Sequence, residues 1–385
     1  MLHSSGFYFF NHIPPLFWLT LSFIAGIAFI LFYPSLILSF ALACIITCIG
    51  CTLIFLRKIE NRYLYFSLSG ILFFLGSFHL QNYIQQHTNI LQRVEGKKIN
   101  AKGKIIDIND FDHPRFKKLI TFTTQSAHDG ENKSYGQLVG KNILIYTSKN
   151  GDFHVDDEIL LNNIKLKKPK TKSIALYLQK ENAIGTLVYD LANVELMHRP
   201  ILSIERWIHS KKTTIFGSLK NKMNRATFTF FSSLFLGNRK INKYENEKLK
   251  ESCKYWGISH YLARSGLHLV VFIMVWEFLL RFIPIAFIVK QLLLILLTII
   301  YFLLSWNSIS FFRAFLTFIC YKTLLLTNVP SHTLHTIIFV CWLILLWNPF
   351  QLLFLDFQLS FGVTFLLAWI NQYRSHTKIL ITQNS

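Results

Sequence analysis

The sequence predicts a polytopic α-helical membrane protein with one inserted extracytoplasmic β-barrel domain of OB-like type. Three observations predict it. Apolar runs approaching or exceeding the roughly 20 residues needed to cross a bilayer recur along the chain. One interval, residues 91–198, switches to short alternating stretches separated by turn residues. Only 16% of the residues are charged while 52% are hydrophobic, and the mean hydropathy is positive, far from a soluble composition.

Taken in order, Pro14-Pro15 open a first apolar run that continues to Tyr33, and Pro34 ends it because proline cannot continue a helix. Ser35 to Leu56 supplies a second run. It follows almost at once, so the N-terminal stretch reads as a span rather than a cleaved signal. The loop from Arg57 to Arg62 is net positive, which places it in the cytoplasm, and a third span from Tyr63 to Leu80 then exits outward. Residues 1–90 form this first helical region. Residues 91–198 carry about five strand-like pieces, including INAKGKIIDI, KLITFTT, GKNILIYT and DEILLNNIKL, punctuated by Asp112-His113-Pro114, Asp129-Gly130 and Asn150-Gly151. That pattern fits a small barrel. Lys165, Lys167, Lys168, Lys170 and Lys172 give it a basic surface, which is either a solvated face or a groove for single strands.

Residues 199–256 begin as a basic amphipathic stretch with Ile204, Trp207, Ile208, Ile215 and Phe216 on its apolar side, the pattern of a helix lying on a membrane surface. Residues 257–372 hold apolar runs near Tyr261–Leu280, Gln291–Trp306, Phe311–Leu326, His332–Trp347 and Leu352–Ile370, and residues 373–385 form a cytoplasmic tail. With the barrel outside, Arg281, Lys290, Lys322, Arg374 and Lys378 fall inside, in agreement with the positive-inside rule.

The formal charge of +20 suits anionic lipid or a polyanionic ligand such as nucleic acid. The six cysteines lie nearly all in or beside apolar runs. Cys44, Cys48 and Cys51, at i, i+4 and i+7, are either a ligand stripe or small helix residues, the latter being the expectation with no metal centre. The hydrophilic region between about Arg93 and Arg199 has no cysteine to form a disulfide of its own. No phosphate-cradling GxxxxGK[ST] run appears, so the chain supplies no ATP motor, and no cofactor is predicted.

Polar residues inside the apolar runs are the candidate site. In WGISHYLARSGLHLVVF, from Trp256 to Phe272, His260, Arg264, Ser265 and His268 share one broad helical face. Such groups face a bundle interior or a watery cavity. Arg313 sits inside SISFFRAFLTF, where a charge costs a few kcal/mol. It either snorkels from a helix end or faces the bundle to meet a phosphate or Asp356. Asp356 and Gln358 either cap a helix start after the Asn348-Pro349 break or line a cavity. Ser265 and His268 lie three residues apart, but without GxSxG or an oxyanion hole no hydrolase, and no enzyme, is predicted.

The same stretch resembles the signature of the ComEC competence family, the inner-membrane channels of bacterial DNA uptake, in Gly257, His260, Ala263, Ser265, Gly266, Leu267 and His268. Arg264 stands where that family commonly has an aliphatic residue. SSLFLGNR (Ser232 to Arg239), SISFFRAF (Ser308 to Phe315) and NPF…LDFQLSFG (Asn348 to Gly362) follow the family's order. The resemblance implies a cytoplasmic-membrane channel that passes single-stranded DNA inward during transformation, with His260, Arg264, Ser265, His268, Arg313, Asp356 and Gln358 along its path. It implies a cytoplasmic helicase-type motor and strand-binding proteins as partners, and leaves room for a separate nuclease and for a homo-oligomer. Many ComEC proteins continue into a metallo-β-lactamase-like domain. The likeness here is expected to cover the barrel and the membrane region and no nuclease. The alternative is a transporter or envelope protein that uses the same membrane fold for another cargo.

Overall fold

The computed structural model of the chain describes residues 15–56, 61–94, 96–110, 116, 118–129, 134–147, 152–166, 169, 171–188, 194–236, 251–257, 266–305, 309–329 and 333–383. Its elements in chain order are α1 (Pro15–Phe32), α2 (Leu36–Leu56), α3 (Asn61–Val94), β1 (Ile99–Asp110), β2 (Lys118–Asp129), β3 (Asn142–Thr147), β4 (Glu158–Ile164), α4 (Lys172–Lys180), β5 (Ala183–Val188) and β6 (Val194–His198). There follow α5 (Ile204–Lys222), α6 (Arg225–Phe231) with a π-helical turn at Ser232–Leu236, α7 (Gly266–Arg281), α8 (Phe287–Leu304), α9 (Ile309–Leu326), α10 (Thr333–Trp347), a 3-10 turn at Pro349–Leu353, and α11 (Leu355–Gln383). The chain divides into two compact units, Met1–Gln85 with Leu316–Ser385, and Gln86–Phe315.

In the first unit, small residues let helices approach closely. A side chain at Gly26 would strike the backbone of Phe73, and one at Gly76 the carbonyl of Phe23, so α1 and α3 touch backbone to backbone. Ser77 Oγ donates to the carbonyls of Gly26 and Phe73, each at 3.0 Å. Thr336, Ile337, Val340, Ile344 and Leu345 are among the many buried residues of α10. From that helix Trp342 donates its indole N–H to Thr20 Oγ1 at 2.6 Å and stacks on Phe23. Asn348 caps the 3-10 turn by accepting from the Phe350 N–H, with Pro349 preset at its start.

The second unit contains a mixed six-stranded sheet in the order β5-β3-β2-β1-β4-β6, antiparallel except for the parallel pair β3 and β5. Alternation puts Ile99, Ala101 and Ile105 of β1, Ile120 and Phe122 of β2, Ile143 and Ile145 of β3, and Ile159 and Leu161 of β4 into one core. Leu178 of α4 packs on the other side with Leu119 and Leu144. The expected closed barrel is corrected here. β5 and β6 are the two ends of the strand order, and the outer edge of β4, which closure needs for β5, is taken by β6. At Gly103 the register of β1 shifts. A Cβ there would strike the Thr123 carbonyl and the Phe122 ring, so glycine permits the bulge.

Two helices outrun their apolar stretches. The third span, expected to end at Leu80, continues to Val94 because Ile90 and Val94, one turn apart, are seated in the core of the sheet. The last span is followed by helix as far as Gln383. Among the described residues, two helical stretches are long and apolar enough to cross a membrane, Leu64–Val94 and Phe287–Leu304. The second exposes Leu292, Leu296, Ile300 and Leu303, while Leu294 and Thr298 are buried. An exposed apolar surface of that kind marks a face for lipid or for another protein.

Candidate functional site

The described polar residues of the signature region collect where α7, α8 and α9 meet in the second unit. Gly266 at the start of α7 lies against Ala314 of α9. A Cβ at Gly266 would sit 2.9 Å from the Ala314 Cβ, 3.4 Å from the Ser310 carbonyl and 3.6 Å from Arg313 Nη2. Glycine and alanine therefore allow the crossing, and the half-buried Arg313 guanidinium lies over it. His268, two residues beyond Gly266, meets Phe235 of the π-helical turn edge to face at 6.1 Å. The carbonyl of Phe235 accepts from Tyr301 Oη at 2.9 Å. Tyr301 stacks on Phe272 at 4.4 Å and meets Phe311 edge-on at 5.5 Å, and Phe311 precedes Arg313 by two positions.

The arrangement brings an imidazole, a guanidinium and a set of packed aromatic rings to one end of three helices. Chemically it offers charge-assisted donors beside flat apolar faces, a combination suited to phosphate and base contacts.

Residues 234–384 match the family model of the competence protein. The match covers α7 to α11 and with them the His268 and Arg313 crossing. Together with the two apolar helices it points to a membrane location and a part in competence. Neither a curated protein nor a solved structure matches the chain.

Of the other expected site residues in the competence region, His260, Arg264 and Ser265 lie outside the described residues. Asp356 is exposed in the first turn of α11, where a carboxylate complements the helix dipole. Gln358 Nε2 donates to the Leu352 carbonyl at 2.8 Å, so it ties the helix start to the 3-10 turn before it. Both belong to the first unit, as does Lys322. That lysine is buried near the end of α9, with its ammonium 5.6 Å from the Phe318 ring centre and 5.9 Å from that of Tyr321. On the β-domain, Lys165 is exposed just after β4 and Lys172 opens α4. Lys167, Lys168 and Lys170 lie outside the described residues, as does the side chain of Lys172.

A second constellation joins the sheet to α5. Asp157, fully buried at the edge of β4, accepts from Arg199 Nε at 3.2 Å and Nη2 at 3.0 Å, from Arg206 Nη2 at 2.6 Å, and from the His154 backbone N–H at 2.8 Å. The hydrogen bond to the Asp157 carboxylate raises the Arg199 pKa above its ordinary value. Lys104 pairs with Asp156 and, at 3.3 Å, with Glu205. One turn along α5, His209 Nε2 lies 3.2 Å from the Ile108 carbonyl, and Lys212 donates to the Ser305 carbonyl at 3.3 Å. A cleft of about 570 Å³ runs between sheet and helix, lined by Lys104, Thr123, Gln125, His209 and Lys212 among others.

Sequence reading missed Asp157 and Tyr301, and took Phe235 only as part of the SSLFLGNR stretch. Tyr301 carried a signal, a polar group at the end of an apolar run.

Proposed function

We propose that the chain is a multi-spanning cytoplasmic-membrane component of DNA uptake that passes single-stranded DNA inward, with its β-domain on the extracytoplasmic side. The observation that carries this reading is the competence match over residues 234–384, which includes the crossing of Gly266, His268 and Arg313. The +20 charge favours a polyanion, and the cleft with Lys104, His209 and Lys212 lies in the same compact unit as that crossing. Arg313 would hold backbone phosphate and His268 with its neighbouring rings would bear on the bases. Movement then depends on a cytoplasmic motor and strand-binding proteins.

Uptake of labelled DNA tests this. A strain lacking the gene should hold DNA outside the cytoplasmic membrane and admit none. Arg313→Ala should give the same defect with the protein still in the membrane. Normal cytoplasmic arrival in the deletion strain would assign the fold to another cargo.

A further inference from the structure

The turn before α5 and the outward face of that helix carry apolar side chains that no described residue of the second unit covers. Ile201 is 98% exposed and Leu202 94%, in the two positions before the N-cap Ser203, whose side chain accepts from the Arg206 N–H. Ile204, Trp207 and Ile215 continue the exposed face, and Lys211 extends its ammonium over the Trp207 ring. Lys222 closes the helix on the same side, while Glu205, the acid of the first turn, is engaged by Lys104. The opposite face is bound inward through His209 and Lys212.

The Lys212 contact fixes the height of this surface. Its acceptor, the Ser305 carbonyl, follows the last residue of α8, one of the two helices able to cross a bilayer. The end of a spanning helix marks the boundary between hydrocarbon and headgroups. Tryptophan, branched aliphatics and lysine are the side chains that partition into that layer.

We propose that Ile201, Leu202, Ile204 and Trp207 form a wedge that enters the interfacial layer of an anionic bilayer, with Lys211 and Lys222 on the headgroup phosphates. Asp157 grips Arg199 just before the wedge and Arg206 within its span, so the sheet is held at a fixed angle to the lipid surface. The inference rests on the membrane reading of α8 and is independent of DNA.

The test uses the full chain, its six native cysteines replaced by alanine, in nanodiscs of phosphatidylglycerol and phosphatidylcholine. An environment-sensitive fluorophore is placed at Ile201→Cys or, as a control, at Leu296→Cys on the exposed side of α8. The Ile201 probe should emit in the blue and be quenched by a nitroxide carried near the glycerol backbone, with less quenching in pure phosphatidylcholine. The Leu296 probe should be quenched by a nitroxide deep in the acyl chains. A water-like Ile201 emission beside a quenched Leu296 control overturns the wedge alone. Blue emission that no lipid nitroxide quenches assigns the face to a second copy of the chain and also overturns it. Two unquenched probes overturn the membrane reading itself. Quenching indifferent to lipid charge removes the role given to the lysines.

Discussion

Replacing Asp157 with asparagine keeps the shape of the side chain and removes its charge, leaving two guanidiniums facing a neutral amide. Asp157 is fully buried, whereas the side chains of Arg199 and Arg206 keep 34% and 21% of their exposure. Breaking a buried pair by removing one partner costs about 3–5 kcal/mol. Both arginines retain access to water, so the expected loss lies at the low end, about 3 kcal/mol. It falls on the junction between the sheet and α5 and not on the helices of the first unit. At about 1.4 kcal/mol per tenfold change in an equilibrium constant, amides of α5 should exchange with solvent roughly a hundredfold faster. The assay is hydrogen exchange of the full chain in nanodiscs, read on Ile204–Lys222 against α10 as an unaffected reference. Adding Arg206→Gln to the asparagine variant should recover part of the loss, because one stranded charge is then gone. Unchanged exchange in α5 would refute the assignment of the junction's stability to this carboxylate.

Two further outcomes are expected. Gly266→Ala should lower the thermal stability of the detergent-solubilised protein, since the new methyl lies 2.9 Å from the Ala314 Cβ, and Ala314→Gly should restore it; an additive double variant would show that the two helices do not share this contact. In the β-domain, burial pushes the Tyr146 phenol up, and burial with the nearby Glu181 carboxylate pushes Tyr177 to about 12. The fold thus favours the neutral phenols. Stability present below the ordinary tyrosine value of about 10 should be lost as pH climbs from there through 12, and Tyr177→Phe should flatten that decline in a denaturation series.

The helices were legible because apolar run length is a local property, and Arg313 stood out because a charge within such a run is costly. The strands β1 to β5 were legible from alternation, which the burial of β4 reproduces, whereas β3 is buried on both faces, Ile143 and Ile145 in the main core and Leu144 against Leu178 of α4. β6 was missed because Glu195, Leu196, Met197 and His198 are all exposed, so an edge strand with no buried face leaves no period to read. Its absence from the reading is also why closure was expected. The polar run after Leu80 hid the continuation of α3, since Ile90 and Val94 answer to a sheet and not to a helix face. Asp157 finds Arg199 and Arg206 across 42 and 49 positions, a pairing that no local pattern encodes, and both arginines read as part of a basic amphipathic stretch. Gln358 was conspicuous by its polarity, and its bond to the preceding turn is a contact that the sequence left open.

The seating of Ile90 and Val94 in the sheet governs how the β-domain can be studied by dissection. A fragment begun at Ile99 would retain all six strands and lose two of the side chains that fill their core. Vacated core positions of this kind cost about 2–5 kcal/mol for a large aliphatic group. A soluble piece for binding or scattering work should therefore start no later than Gln86, carrying the last turns of α3 as its own plug.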